Sequence, residues 1–219
     1  MCAAVPPESS APLASPDSFD FAVGAGLDAQ EALEIYRAML VQANSETNLV
    51  GASTLGAFWT RHYVDSAQLR LFAPDALVWA DLGAGAGLPG LVLAILLRGR
   101  TGACVHLVES MSKRCRFLEA VARRLDLPVD IHNARAESLE LKVEVVTARA
   151  CAPLTRLLGF AHPYFVGGAR GLFLKGAGVQ AEIIEARRAW RFKSTLHPSL
   201  SDPGGRVLEI DAVSRDQRG

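Results

Sequence analysis

No Cys-x-x-Cys pair occurs among the four cysteines, Cys2, Cys104, Cys115 and Cys151. The spacing of a zinc ribbon or a redox dithiol is therefore missing, and no metal site is expected. Cys104 and Cys115 lie in apolar patterns and read as core thiols in a reducing compartment. Long apolar runs are missing too. The longest, Leu91–Leu97, falls far short of the roughly 20 residues that a bilayer-crossing helix needs. The first residues lack the basic start and apolar stretch of a secretory signal, so a cytoplasmic location with no membrane partner is expected. There is no overall excess of either charge, since 23 basic residues balance 23 acidic ones; that argues against holding naked duplex by charge alone. The balance is uneven along the chain. Residues 1–60 hold seven acids (Glu8, Asp17, Asp20, Asp28, Glu31, Glu34, Glu46) against Arg37 alone, so the remainder carries six more bases than acids. This is a mild case for an anionic partner.

What is present suits one large domain: 219 residues, half of them apolar and 21% charged. Residues 1–26, rich in Pro, Ser, Ala and Gly without periodicity, read as a disordered or loosely attached tail. From Asp28 onward Leu33, Tyr36, Leu40 and Val41 recur at three- and four-residue steps, predicting a helix. A second helix is expected over Leu55–Leu71, which makes residues 27–72 an N-terminal helical extension, or cap. From Ala76 strands and helices alternate. Strands are expected at Ala76–Leu82, Cys104–Glu109, Val129–Asn133, Val143–Thr147, Gly171–Lys175 and Arg206–Ile210. Helices are expected at Pro89–Leu97, Lys113–Leu125, Leu154–Ala161 and Val179–Trp190. Such alternation predicts an α/β fold with a doubly wound, mostly parallel sheet over residues 73–213, followed by a short tail at 214–219. Ligands of such sheets bind at the carboxyl ends of the strands. The stretch Ala80–Gly90, Glu109, Asn133–Glu137 and Thr147–Arg149 all fall there.

The stretch "ADLGAGAGLPG", Ala80–Gly90, holds four glycines and a proline behind a strand. Gly85-x-Gly87-x-x-Gly90 fits the dinucleotide fingerprint, and Glu109 follows at about the expected twenty residues, so an NAD-dependent oxidoreductase is one reading. The register speaks against it. Asp81, Leu82 and Gly83 intervene between the apolar run Ala76–Trp79 and the fingerprint, Asp81 would stand beside an anionic pyrophosphate, and Pro89 removes an N–H donor at the helix start. S-adenosylmethionine, a cation without phosphate, suits the loop better. Asp81 would then help hold its amino acid moiety, Gly83 and Gly85 would let the backbone come close, and Glu109 would accept hydrogen bonds from the ribose hydroxyls. A turn that only packs strand to helix is the plainest alternative.

In sequence order the motifs are "NLV" at Asn48–Val50, "RHYVDS" at Arg61–Ser66, "DLGAGAGLPG" at Asp81–Gly90 and "ES" at Glu109–Ser110. They continue with "KRCRFL" at Lys113–Leu118, "RAE" at Arg135–Glu137, "TARACAPL" at Thr147–Leu154 and "LKG" at Leu174–Gly176. This order, over about residues 30 to 212, resembles the ribosomal RNA small subunit methyltransferase G family, also called glucose-inhibited division protein B. The resemblance implies a Rossmann-like class I S-adenosylmethionine-dependent methyltransferase. Its activity would be methyl transfer to N7 of a guanine in the decoding region of 16S ribosomal RNA. It further implies a cofactor site formed by Gly83, Leu88, Glu109, Ala136, Glu137 and Arg149. The partner would be 16S RNA or a small-subunit particle, with the chain acting as a monomer. The sequence departs from the family at Val50, where Thr is usual, and at Cys151, where a larger apolar residue is frequent. A ribosome-binding protein without catalysis remains a further reading.

Guanine N7 carries a lone pair and no proton, so its methylation needs positioning and desolvation more than a base. The Asn/Asp-Pro-Pro-aromatic motif of exocyclic-amine methyltransferases is absent after the fourth strand, where Thr147-Ala148-Arg149-Ala150 stands. Cys151 is the one candidate nucleophile near the cleft for pyrimidine C5 chemistry, and it reads instead as an inert thiol. Lys113 and Arg114, at the start of a helix near the cleft mouth, are candidates for RNA contact, or they pair with local acids. Arg61, His62 and Lys175 are the candidate catalytic residues for positioning the guanine or its phosphate. The local alternatives are an Arg61–Asp65 pair at i,i+4, with His62 facing Asp65 and Ser66, and an ion pair of Lys175 with a nearby acid. Phe58, Trp59 and Tyr63 read as core, with stacking on an extruded base as the alternative.

Overall fold

In the computed structural model, residues 26–215 are described. The expected tail at 1–26 lies outside the described residues except for Gly26. So do Asp216–Gly219 of the expected C-terminal tail, whose first two residues instead belong to a strand.

Helix α1 (Leu27–Thr47) buries Leu33, Tyr36 and Leu40 along one stripe. It stops at Asn48 with φ of 32°, a left-handed conformation that asparagine tolerates. The continuous helix expected over Leu55–Leu71 is not formed. A 3-10 turn at Ala52–Ala57 leads into a π-helical turn at Trp59–Val64, then two short α-helical turns, Asp65–Ala67 and Leu69–Phe72. Phe58 and Tyr63 are buried there with ring centroids 4.0 Å apart, which removes both from the choice of base-stacking residues.

The sheet follows as β1 (Val78–Leu82), β2 (Cys104–Val108), β3 (Val129–His132), β4 (Val145–Arg149), β5 (Arg170–Lys175), β6 (Trp190–Pro198) and β7 (Arg206–Arg215). Their order is β3-β2-β1-β4-β5-β7-β6. Strands β1 to β5 are parallel, whereas β7 runs antiparallel to both β5 and β6. The chain reverses its direction of winding between β1 and β4, so the loops leaving those two strands flank the crevice where α/β sheets take their ligands.

Strand β6 is the element that the helix and strand patterns above do not anticipate. The helix expected up to Trp190 ends at Ala186, and Trp190 and Phe192 then alternate with exposed Arg191 and Lys193. The β7 strand runs five residues past the expected Ile210.

Helix α2 (Gly90–Leu97) is apolar on every side because it is buried on every side, between the sheet and α1. Helix α3 (Ser112–Leu125) is amphipathic, burying Cys115, Leu118, Val121 and Leu125. These helices and α1 cover one face of the sheet, packing on Trp79, Val105 and Leu107. Helices α4 (Leu154–Val166) and α5 (Val179–Ala186) cover the other, over Ala80, Val146 and Phe173. Among the described residues no helix is long and apolar enough to cross a membrane.

Candidate active site

The first wall is the glycine loop. Asp81, fully buried near the end of β1, accepts a hydrogen bond at Oδ2 from the Gly90 N–H at the start of α2 (2.8 Å). Its other oxygen, Oδ1, has no hydrogen-bond partner among the described residues. Burial, opposed by that amide and by Arg149, pushes its carboxyl up to about 7. Asp81 thus fills the position at a helix N-terminus where a phosphate would sit. As folded, Asp81 shapes the loop from beneath.

Glu109, at the end of β2, closes the same loop from the other side. Its Oε2 accepts from the Gly85 N–H (3.1 Å) and its Oε1 from the Met111 N–H (2.8 Å). Arg114 Nη1 stands 3.5 Å from Oε2, so this candidate for RNA contact pairs with the candidate ribose-holding acid. Lys113 Nζ instead reaches the Glu46 carbonyl at the end of α1 (3.1 Å). Leu88 is buried under the loop, and Ala136 opens a 3-10 turn, Ala136–Ser138, that also carries Glu137. The Tyr164 hydroxyl holds this turn by donating to the Ala136 carbonyl (3.2 Å). Gly83 lies against Cys151 of the β4–α4 loop, which joins the glycine loop to the second half of the site.

That second half is a cleft of about 810 Å³ lined by Arg61, Asp65, Arg149, Cys151, Lys175 and Glu182, with Ser201 and Asp202 at one side. Arg149, the last residue of β4, organises it. Its Nη1 donates to the Arg61 carbonyl (2.9 Å) and lies 3.3 Å from Asp65 Oδ2, while Nη2 is 2.7 Å from His62 Nδ1. A guanidinium has no acceptor, so His62 Nδ1 accepts and the ring is a neutral Nε2–H tautomer, with Nε2 3.0 Å from Thr54 Oγ1. Burial and the neighbouring Arg149 and Arg61 push His62 down to about 4. Asp65 is pushed up by burial and pulled back by Arg149 and by the Ser201 hydroxyl, which donates to Oδ1 (2.7 Å).

The Arg61–Asp65 pair expected at i,i+4 does not form. The π-helical turn widens the spiral, so residues four apart no longer stack. Arg61 turns instead to Asp202 (3.7 Å), and Asp65 turns inward to Arg149. The His62 ring likewise faces Thr54 and Arg149, and Ser66 meets only its backbone carbonyl (2.6 Å). Lys175 forms the ion pair held open as its alternative, with Glu182 (2.8 Å), and also donates to the Ala152 carbonyl (3.1 Å). Burial pushes the Cys151 thiol up, away from the thiolate that a nucleophile needs.

The residues brought together are thus Arg61, His62 and Arg149, with Lys175 across the cleft and Asp81, Gly83, Gly85 and Glu109 in the adjoining loop. Lys113 and Arg114 stand at its outer edge. Sequence reasoning missed Gln68, Glu182, Ser201 and Asp202. Gln68 donates to both Asp65 Oδ1 and Ser199 Oγ and accepts from the Leu200 N–H, which ties the β6–β7 loop to the N-terminal segment. The turn-rich stretch Ser199–Gly205 was the available signal for that loop.

The family model described as GidB, rRNA small subunit methyltransferase G, matches residues 29–205. The chain is 63% identical over 198 residues to a ribosomal RNA small subunit methyltransferase G of Caulobacter vibrioides (strain NA1000 / CB15N), covering 90% of this chain and 91% of that one. It is 45% identical over 188 residues to the protein of that name in Methylorubrum populi, covering 84% and 89%. Among solved structures, the SAH-bound methyltransferase of Podospora anserina matches with a TM-score of 0.58 at 12% identity, over 82% of this chain and 87% of that one. A SAM dependent methyltransferase from Aquifex aeolicus matches with a TM-score of 0.53 at 11% identity, over 80% and 98%. At such identities the likeness carries the fold, the Rossmann-like class I methyltransferase architecture. With a family model matching residues 29–205 and a relative 63% identical over nine-tenths of both chains, this chain belongs to the rRNA small subunit methyltransferase G family.

Proposed function

We propose that the chain transfers the methyl group of S-adenosylmethionine to N7 of a guanine in 16S ribosomal RNA. The glycine loop would hold the cofactor and the adjoining cleft the base. The observation that carries this reading is the use made of the two acids. Asp81 takes the helix N-terminal amide and Glu109 takes the Gly85 amide, so both positions favour a cationic nucleoside over a diphosphate. The cofactor fits the residues present. Gly85, at φ of 56°, has only the Gly83 carbonyl oxygen within 4 Å of where a Cβ would stand. That leaves a space beside a carboxylate that a side chain would fill. Asp81 Oδ1 remains an unpartnered buried acceptor beneath it.

Gly83, Gly85 and Leu88 would line the cofactor, Glu109 would accept from its ribose, and Ala136 and Glu137 would flank its adenine. Bound there, S-adenosylmethionine supplies an electrophilic methyl on a sulfonium. The chain's own residues then orient and exclude water. His62 has its one acceptor nitrogen committed to Arg149 and serves to orient that guanidinium rather than to remove a proton. Lys175 and Arg149 are cations held in place by Glu182 and Asp65, suited to polar edges of a base or to its phosphate. Such a cleft matches a nucleophile that has no proton to lose. On this reading the chain acts as a monomer on 16S RNA or a small-subunit particle. A ribosomal substrate agrees with the expected cytoplasmic location.

The test is methyl transfer from labelled S-adenosylmethionine to small-subunit particles lacking the modification, with N7-methylguanine mapped by reverse transcription after strand cleavage. Label at one guanine N7, with cofactor affinity lowered about 10- to 100-fold by Glu109→Ala, is the expected result. Label on another atom removes the N7 assignment. Binding of NADH in place of the labelled cofactor removes the cofactor assignment as well.

A further inference from the structure

On the sheet edge formed by β2 and β3, outside the cleft, four ligand-type side chains meet. Strand alternation puts Cys104 and His106 on one face of β2, and Asp130 and His132 on one face of β3. The parallel register sets Asp130 beside His106 and His132 beside Val108. Cys104 Sγ lies 3.8 Å from His106 Nε2 and 3.5 Å from Asp130 Oδ2. His106 Nδ1 lies 3.6 Å from Asp130 Oδ2 and 3.1 Å from His132 Nε2. Donor atoms of Cys104, His106 and Asp130 all lie within 4.8 Å of one another.

In a tetrahedral zinc site, with bonds of about 2.0–2.3 Å, neighbouring donor atoms stand about 3.3–3.6 Å apart. Cys104, His106 and Asp130 lie within reach of that spacing, and His132 stands beside them, 3.1 Å from His106 Nδ1. The Asp130 side chain is 64% exposed and that of His106 only 14%, so an entry path from solvent leads to a sheltered imidazole. One divalent ion, one thiolate and one carboxylate sum to zero charge, so the loaded site leaves no net charge on the sheet.

We propose that this edge binds one divalent transition-metal ion through Cys104, His106 and Asp130, with His132 as the fourth ligand. Zn²⁺ is the best fit to a sulfur, imidazole and carboxylate set. Binding replaces the Cys104 S–H bond by a metal–thiolate bond and releases one proton to solvent. Hard cations such as Mg²⁺, which prefer all-oxygen sites, do not compete. Because β3 is a four-residue edge strand, the ion would pin it to β2 across the pair. This departs from the expectation of no metal site, and from the reading of Cys104 as a core thiol, since Cys104 is only half-buried.

The test uses the full chain, stripped with chelator and titrated with Co²⁺ as a spectroscopic stand-in, then with Zn²⁺ in competition. Expected are one ion per chain, a thiolate-to-cobalt charge-transfer band with the strong d–d absorption of four-coordinate cobalt, and loss of both on adding Zn²⁺. About one proton is released per ion at pH 7. At a hundredfold excess of Zn²⁺ over its Kd, Tm rises by about 5–10 °C. Cys104→Ser and His106→Ala each weaken binding by about 100-fold or more, and His132→Ala by at least about tenfold. Cys115→Ser and Cys151→Ser leave it unchanged. Equal Tm values for the stripped variants and the stripped wild type show that the fold is kept. Failure of the wild type to bind, a cobalt spectrum without the thiolate band, equal affinity in Cys104→Ser, or equal competition by Mg²⁺ would each overturn the proposal.

Discussion

The sulfur of Cys151 occupies the space that a side chain on Gly83 would need: a Cβ built there lies 2.8 Å from Sγ, and the backbone has φ of 72°. The two loops at the switch point of the sheet are therefore fitted to one another through a missing side chain and a small one. Gly83→Ala is expected to lower stability by about 1–3 kcal/mol, from overpacking and left-handed strain, and to weaken cofactor binding. Cys151→Ala alone retains methyl transfer to within a few-fold, because its thiol is held protonated and is no nucleophile. The double variant recovers part of the Gly83→Ala loss, a coupling readable from melting curves and cofactor titrations. Strict additivity, or an inactive Cys151→Ala, contradicts the expectation.

Asp81 and His62 predict opposing effects of pH on stability. Burial pushes Asp81 up to about 7 in the folded state from an ordinary carboxyl value of 3.8 in the unfolded chain, so across that window the folded state binds more protons and stability falls as pH rises. His62 titrates at about 4 when folded and near 6.5 when unfolded, so from 4 to 6.5 the unfolded state binds more and stability rises with pH. Asp65, also pushed up by burial, adds to the falling side. Asp81→Asn removes one falling slope, so between pH 4 and 6.5 its stability should change with pH more positively than that of the wild type, by about 1 kcal/mol per unit, measured by urea unfolding at several pH values. Identical pH profiles in variant and wild type refute the assignment.

Arg149 supplies a planar fork that a lysine lacks. Arg149→Lys keeps a charge for Asp65 but cannot reach the Arg61 carbonyl and His62 together. We expect a Tm within a few degrees of wild type and turnover reduced at least tenfold. Arg149→Ala strands the largely buried Asp65 carboxylate and costs about 2–4 kcal/mol of stability as well. Equal turnover in wild type and Arg149→Lys shows that the fork is dispensable.

Arg61 offers a half-exposed cation at the cleft rim, and its pairing with Asp202 at 3.7 Å is loose. Arg61→Ala should weaken RNA binding and reduce the dependence of log K on log salt by about one. Cofactor affinity should not change, because Arg61 belongs to the cleft and not to the loop. Filter binding across a salt series and calorimetry with cofactor separate the two effects.

The parallel sheet and the glycine loop were legible because their signals are local. A strand followed by glycines, and an acid one crossover later, is a pattern within one stretch of chain. Partners far apart in sequence were not. Ser201 meets Asp65 across 136 positions and Gln68 meets Leu200 across 132, joined by a loop whose preceding strand, β6, went unseen behind a helix that ended early. The Arg61–Asp65 expectation failed for a different reason. It assumed α-helical pitch, and nothing in "WTRHYV" announces a wider turn. The Cys104, His106, Asp130 and His132 cluster shows the same limit. Each strand holds two ligand types at spacing two, but only the β2–β3 register brings the pairs side by side.

The position of Ser201 and Asp202 in the wall of the cleft bears on how the enzyme comes into being. A chain still emerging from a ribosome would complete its glycine loop more than a hundred residues before the last side of the adjoining cleft. Until residue 205 or so is free, Asp65 lacks the Ser201 hydroxyl and Arg61 lacks its acid. Competence for methyl transfer thus arrives late in synthesis, with the final hairpin.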